Sequence, residues 1–131
     1  MKSSGKGFTL IELLLALAIV AFAVTALLSL FMSSIFLNMA NRNLTIAISH
    51  AQYALEDKKS INFYSIPIGS ETWDSSTITS NNLVPLDSES IVIAVTAPGG
   101  PYTKDIIATV NWKDRGIINR SIAFETLIAG Q

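Results

Sequence analysis

The thirty positions from Phe8 to Leu37 carry a single charge, Glu12, and the stretch from Leu13 to Leu28 is broken only by Thr25. A helix that is apolar on every side has no solvent face, so it must be buried inside a larger body or lie in lipid. As a helix, residues 13–37 would extend roughly 37 Å at about 1.5 Å per residue, enough for a bilayer core of about 30 Å. The chain has 131 residues, half of them hydrophobic and 15% charged, and this one run holds the apolar excess. From Asn38 onward the composition is that of an ordinary soluble domain.

A secretory signal peptide is cleaved after its apolar region, at small residues. Here the order is inverted: a basic leader, Met1 to Lys6, is followed at once by Gly7-Phe8-Thr9-Leu10-Ile11-Glu12, and the apolar run comes after. With Lys2 and Lys6 on the short side, the positive-inside bias places the N-terminus in the cytoplasm and the C-terminal part outside. An acidic side chain in an apolar helix costs about 2.5–3.5 kcal/mol on insertion scales and marks a function more often than not. Glu12 follows Phe8 by four residues, one helical turn, so an amine freed at Phe8 would lie within reach as a counter-charge.

The run Gly7-Phe8-Thr9-Leu10-Ile11-Glu12, followed by an apolar helix, resembles the class III signal of type IV prepilins and type II secretion pseudopilins. The resemblance implies that a membrane-embedded prepilin peptidase cuts after Gly7 and that the new N-terminal residue, Phe8, is methylated. It also implies that Glu12 guides assembly. The implied partners are that peptidase, other pilin or pseudopilin subunits, an inner-membrane assembly platform and, before assembly, membrane lipid. The implied location is the bacterial inner membrane, with the C-terminal domain periplasmic or extracellular, and then the pilus or pseudopilus. Major pilins usually have proline about 22 residues into the mature chain, where this chain has Ser29, and a C-terminal disulfide loop, which a chain without cysteine cannot form. The resemblance is therefore to minor subunits, of the V type in type IV pili or the I type in type II secretion.

Beyond the membrane run, Leu44, Ala47, Ile48, Ala51 and Leu55 recur at three- and four-residue spacing, which predicts that the helix continues, now amphipathic, to about Ser60. Lys58 and Lys59 suit the negative end of a helix dipole. Residues 61–88, with Pro67, Gly69, Asn81, Asn82 and Pro85 around a Ser/Thr-rich centre, read as a long loop. The period then changes to two: Ile91, Ile93 and Val95; Ile106, Ala108, Val110 and Trp112; Ile122 and Phe124. Three strands follow, joined at Pro98-Gly99-Gly100-Pro101 and Asp114-Arg115-Gly116 in an antiparallel meander. The expected fold is α+β: residues 1–7 as leader, 8–37 as the membrane and assembly half of the helix, and 38–131 as a pilin-like globular domain.

No enzyme or cofactor site is expected. His50, the one histidine, reads as a solvated helical residue, since no cysteine or second histidine could complete a metal site. Glu56-Asp57 and the Asp87/Glu89 pair read as solvated surface without a nucleophile beside them. Trp112 falls in phase with the core face, whereas Trp73 could pack locally or meet a partner. A chain of formal net charge −1 lacks the basic footprint that nucleic acid requires. The reading from another class is a single-pass membrane-anchored binding protein with an uncut N-terminus, in which Trp73 and the long loop recognise a ligand.

Overall fold

A computed structural model of the chain describes residues 8–130. Gly7 and the rest of the leader lie outside the described residues. A single helix, α1, runs from Leu10 to Ser60, as the apolar run and the three- and four-residue spacing beyond it predict. It passes through Ser29 without a break, because serine, unlike proline, keeps its backbone donor. The chain divides into two compact units, with the boundary between Met39 and Ala40.

In the first unit α1 is exposed at every position from Leu10 to Ile35. Three of its hydroxyls bond within the helix: Thr25 Oγ1 donates to the Ala21 carbonyl at 2.8 Å, Ser29 Oγ to that of Thr25 at 3.0 Å and Ser33 Oγ to that of Ser29 at 3.0 Å. These i−4 bonds let three polar side chains enter an apolar medium without an unpaired group.

The second unit is a four-stranded antiparallel meander with the last five turns of α1 on one face. The strands β1 (Gly69–Trp73), β2 (Ser90–Thr96), β3 (Thr103–Asp114) and β4 (Ile118–Ala129) lie in sequence order. Ile91, Ile93 and Val95 of β2 and Ile106, Ala108, Val110 and Trp112 of β3 are buried, as period two requires. Ile122, Phe124 and Ile128 of β4 pack partly buried against them. At the second turn Arg115 and Gly116 take φ of 54° and 68°, the left-handed pair a tight hairpin needs.

The helix meets this core through Ala47, Ala51 and Ala54, each fully buried, together with Leu55. Alanine leaves room for close approach of helix and sheet. The buried line is rotated from the stripe expected: Leu44 is exposed and Ile48 half-buried, while His50, Ala54 and Lys58 turn inward.

Residues 61–88 differ most from expectation, holding a 3₁₀ turn (Phe63–Ser65), the edge strand β1 and a short helix α2 (Ser75–Ser80) instead of an irregular loop. Asp74 caps α2, its Oδ1 accepting from the Thr77 N–H at 2.9 Å. Its carboxyl is held down at about 2, first by the Ser76 hydroxyl and then by Thr77. The exit is a Schellman motif: Asn82 sits at φ 59°, Leu83 N–H donates to the Ile78 carbonyl at 3.2 Å and Asn82 N–H to that of Thr79 at 3.0 Å. Ile78 is thereby buried in the core.

Ala51→Leu adds three carbon atoms where the alanine has no exposure, and overpacking of this kind costs about 1–3 kcal/mol. A lowered denaturation midpoint of the detergent-solubilised chain by tryptophan fluorescence is the expected result, with Tyr53→Ala, on a partly exposed side chain, causing a smaller loss.

Candidate functional site

The N-terminal site begins with how the helix starts. Thr9 stands just before Leu10, and its carbonyl accepts from the N–H groups of Glu12 at 3.1 Å and Leu13 at 3.2 Å. Its hydroxyl also receives the Glu12 N–H, at 3.4 Å. Thr9-Leu10-Ile11-Glu12 is thus the S/T-x-x-E spacing of a capping box with the threonine half of it made. Glu12 lies in the first turn, where a carboxylate opposes the positive end of the helix dipole. That local role was readable from the four-residue spacing and was missed. Phe8 and Thr9 precede the helix, so the shared helical face expected of Phe8 and Glu12 is not formed in a chain that still carries residues 1–7. Phe8 is 81% exposed.

Downstream of the cap, α1 is long and apolar enough to cross a membrane, with a mean hydropathy of 2.8 over its best 18-residue window. A polar, capped start with an exposed phenylalanine therefore leads into a membrane-capable rod. Residues 2–36 match the family described as the prokaryotic N-terminal methylation motif. The chain carries a type IV pilin-like N-terminus. Among curated proteins and solved structures, none matches it. The pilin-like N-terminus and the long helix packed on an antiparallel sheet are mutually consistent, since both belong to the type IV pilin pattern.

The globular unit holds three polar clamps along one side of α1, from Asn43, His50 and Lys58. Asn43 Nδ2 donates to Asp114 Oδ1 at 2.8 Å, and the same oxygen accepts from Trp112 Nε1 at 3.2 Å while Oδ2 takes Arg120 Nε at 3.3 Å. Burial opposes ionisation of Asp114, but the amide, indole and guanidinium donors outweigh it and hold its carboxyl below the usual range.

His50 Nδ1 lies 2.7 Å from Glu89 Oε1, and Glu89 Oε2 accepts the Leu86 N–H at 2.6 Å. Both side chains are buried, which corrects the expectation that His50 and Glu89 are solvated surface. The alternation of β2 brings Glu89, one residue before the strand begins, to the same face as Ile91 and Ile93, where it meets His50.

The third clamp joins Lys58 Nζ to Glu71 Oε2 at 2.6 Å, with Glu71 Oε1 accepting from Trp73 Nε1 at 2.6 Å. The lysine first, and the indole second, hold the Glu71 carboxyl low. Trp73 is only 4% exposed, with Tyr53 edge-on at 6.4 Å, so packing claims it. Lys104, also buried, donates to the carbonyls of Phe63 and Ile66 at 2.6 and 2.7 Å and so ties the 3₁₀ turn to β3.

Among the described residues no group of three or more His, Asp or Glu side chains could hold a metal ion. The clamps place titratable groups in contacts that satisfy one another between helix and sheet, and Lys58 and Glu71 also line a pocket with Ile66, Pro67, Ser70 and Ile93. They are structural joints between the helix and the sheet.

Asp114→Ala leaves three donors around a buried site, a loss of about 1–3 kcal/mol for an unsatisfied group. The linkage sign follows from its lowered folded value: the stabilisation is complete above the ordinary carboxylate range and is lost as pH falls through the folded pKa. Denaturation midpoints at pH 7 should therefore separate wild type from Asp114→Ala clearly, and the gap should narrow in strong acid. A gap independent of pH would mean that the carboxylate charge contributes nothing.

Proposed function

We propose that the protein is a structural minor subunit of a type IV pilus or of a type II secretion pseudopilus, cut after Gly7, N-methylated at Phe8 and assembled through residues 8–37. The observation that carries this reading is the methylation motif running directly into a membrane-capable helix, with Phe8 standing before the helix starts. The partners are the prepilin peptidase, neighbouring pilin or pseudopilin subunits, the assembly platform and inner-membrane lipid before extraction. The subunit performs no chemistry of its own.

Cleavage changes the electrostatics of the site. It removes Lys2 and Lys6 and creates an amine on Phe8, two residues before the helix and four residues before Glu12. In lipid each helix keeps its own Glu12 carboxylate in the first turn, near the interface. In a dry bundle of such helices, the Phe8 amine of one subunit and the Glu12 carboxylate of the next would each be costly alone and tolerable as a pair, so pairing fixes the axial register.

The anchored-receptor reading loses its support at Trp73, whose indole is buried against Tyr53 and bonded to Glu71 and so presents no exposed ring to a ligand.

Glu12→Val removes a charge from the apolar helix, so membrane insertion should be unharmed. Cleavage should also survive, because Gly7 and the apolar run are unchanged. Incorporation into sheared pilus or pseudopilus fractions, relative to the membrane pool, should fall at least tenfold, from a broken-pair penalty of about 3–5 kcal/mol. Equal incorporation of the two proteins would remove the assembly role given to Glu12.

A further inference from the structure

The β3–β4 hairpin reaches beyond its neighbours. The last residue of β3 paired with β2 is Asn111, opposite Ser90, so residues 112–120 have no strand partner but each other, with Lys113 N–H held by the Asp87 carbonyl and Asp114 by Asn43. At the tip Ile117 is 83% exposed and Ile118 42% exposed. Around them stand the exposed cations Lys113, Arg115 and Arg120. A fourth, Arg42, precedes Asn43, the helix residue bonded to Asp114 at the base of this tip.

This concentration is selective. Nine Lys and Arg occur in the chain and two are in the leader, which leaves seven, and four of those seven are at the tip. Arg120, half exposed, also keeps Asp114 at 3.3 Å, and the other three cations lie away from the tip: Lys58 with Glu71, Lys59 with Glu56 and Lys104 with two carbonyls. The carboxylates near the tip do not offset it equally. Asp114 is buried and accepts from three donors, and Asp87 is the exposed one, its carbonyl accepting the Lys113 N–H at 2.9 Å. An exposed isoleucine ringed by cations suits neither water nor an acidic protein surface as well as it suits the headgroup layer of a membrane, where apolar burial and attraction to anionic lipid add.

Chain length puts that layer within reach. Asn43 follows Leu37, the end of the apolar run, by six residues, so the intervening backbone can separate them by at most about 20 Å in any conformation. We propose that the β3–β4 tip, Lys113 to Arg120, together with Arg42, docks on the headgroups of anionic phospholipids while the subunit waits in the membrane, with Ile117 entering the interface and the cations meeting phosphates. The inference rests on membrane insertion of the helix and goes beyond the assembly reading, because it concerns the subunit before extraction.

The test uses the full chain in nanodiscs of phosphatidylglycerol or of phosphatidylcholine, each doped with a headgroup-nitroxide lipid, and reads paramagnetic broadening of the Arg115 to Ile118 amides. Strong broadening in phosphatidylglycerol is expected, several-fold weaker in phosphatidylcholine and in 1 M NaCl, where the Debye length is about 3 Å. Each of Lys113→Gln and Arg115→Gln should lower the contact by roughly fivefold, Ile117→Ser should lower it at both salt concentrations, and Lys59→Gln should leave it unchanged. Equal broadening in the two lipids, or wild-type broadening in the Lys113→Gln/Arg115→Gln double variant, would overturn the proposal. So would perturbation of the tip that tracks protein concentration and not lipid charge, which would point to an acidic partner protein. Protection of the residue 13–37 amides from hydrogen exchange separates failure of the tip from failure of insertion: lost protection overturns the membrane reading and this inference together.

Discussion

About thirty residues of apolar helix have to be taken out of water by something outside the second compact unit, and the rest of the structure answers to that demand. Each exposed leucine, isoleucine or phenylalanine of the run would gain about 1.5–3 kcal/mol on full burial. Summed over the run this exceeds the 5–15 kcal/mol that stabilises an ordinary domain. The helix can satisfy its own backbone, and Thr25, Ser29 and Ser33 return their hydroxyls to carbonyls one turn back. The one charged group of the run, Glu12, stands in the first turn, where the capped helix start tolerates a negative charge.

The same helix then changes solvent. From Ala47 onward its inward face is cut down to alanine so that the sheet can approach, and polar side chains at positions 43, 50 and 58 enter the contact only where a carboxylate waits. Each carboxylate comes from a different part of the chain: Glu71 from β1, Glu89 from the turn before β2 and Asp114 from the end of β3. Apolar packing alone would leave a smooth alanine ridge free to slide along the sheet. Paired donors and acceptors fix the register, because a slip of one turn would strand several buried polar groups at about 1–3 kcal/mol each.

What could be read in the sequence was what periodicity and adjacency carry. Glu12 in an apolar run, the Gly7-Phe8 junction and the alternation Ile106, Ala108, Val110, Trp112 are local patterns, and the helix, the meander and the N-terminal motif followed from them. Partners distant in sequence were not legible. His50 and Glu89 are 39 residues apart, and each alone resembles a solvated residue. β1 was hidden because Ser70, Glu71 and Thr72 are polar on both faces, as an edge strand allows. α2 was legible in principle: Asp74 before Ser75 is an N-cap and Asn81-Asn82 a helix stop, but Ser/Thr-rich composition masked both signals.

The central claim is that this chain is made to be cut between a glycine and a phenylalanine, so that a membrane helix gains a charged N-terminus next to its one carboxylate. Mass spectrometry of the N-terminal peptide, on protein recovered from the native host, measures that directly. The account predicts a mature chain beginning at Phe8 and carrying one methyl group on its amine. A chain that retains Met1 to Gly7 would contradict it, and with it the assembly of this protein through residues 8–37.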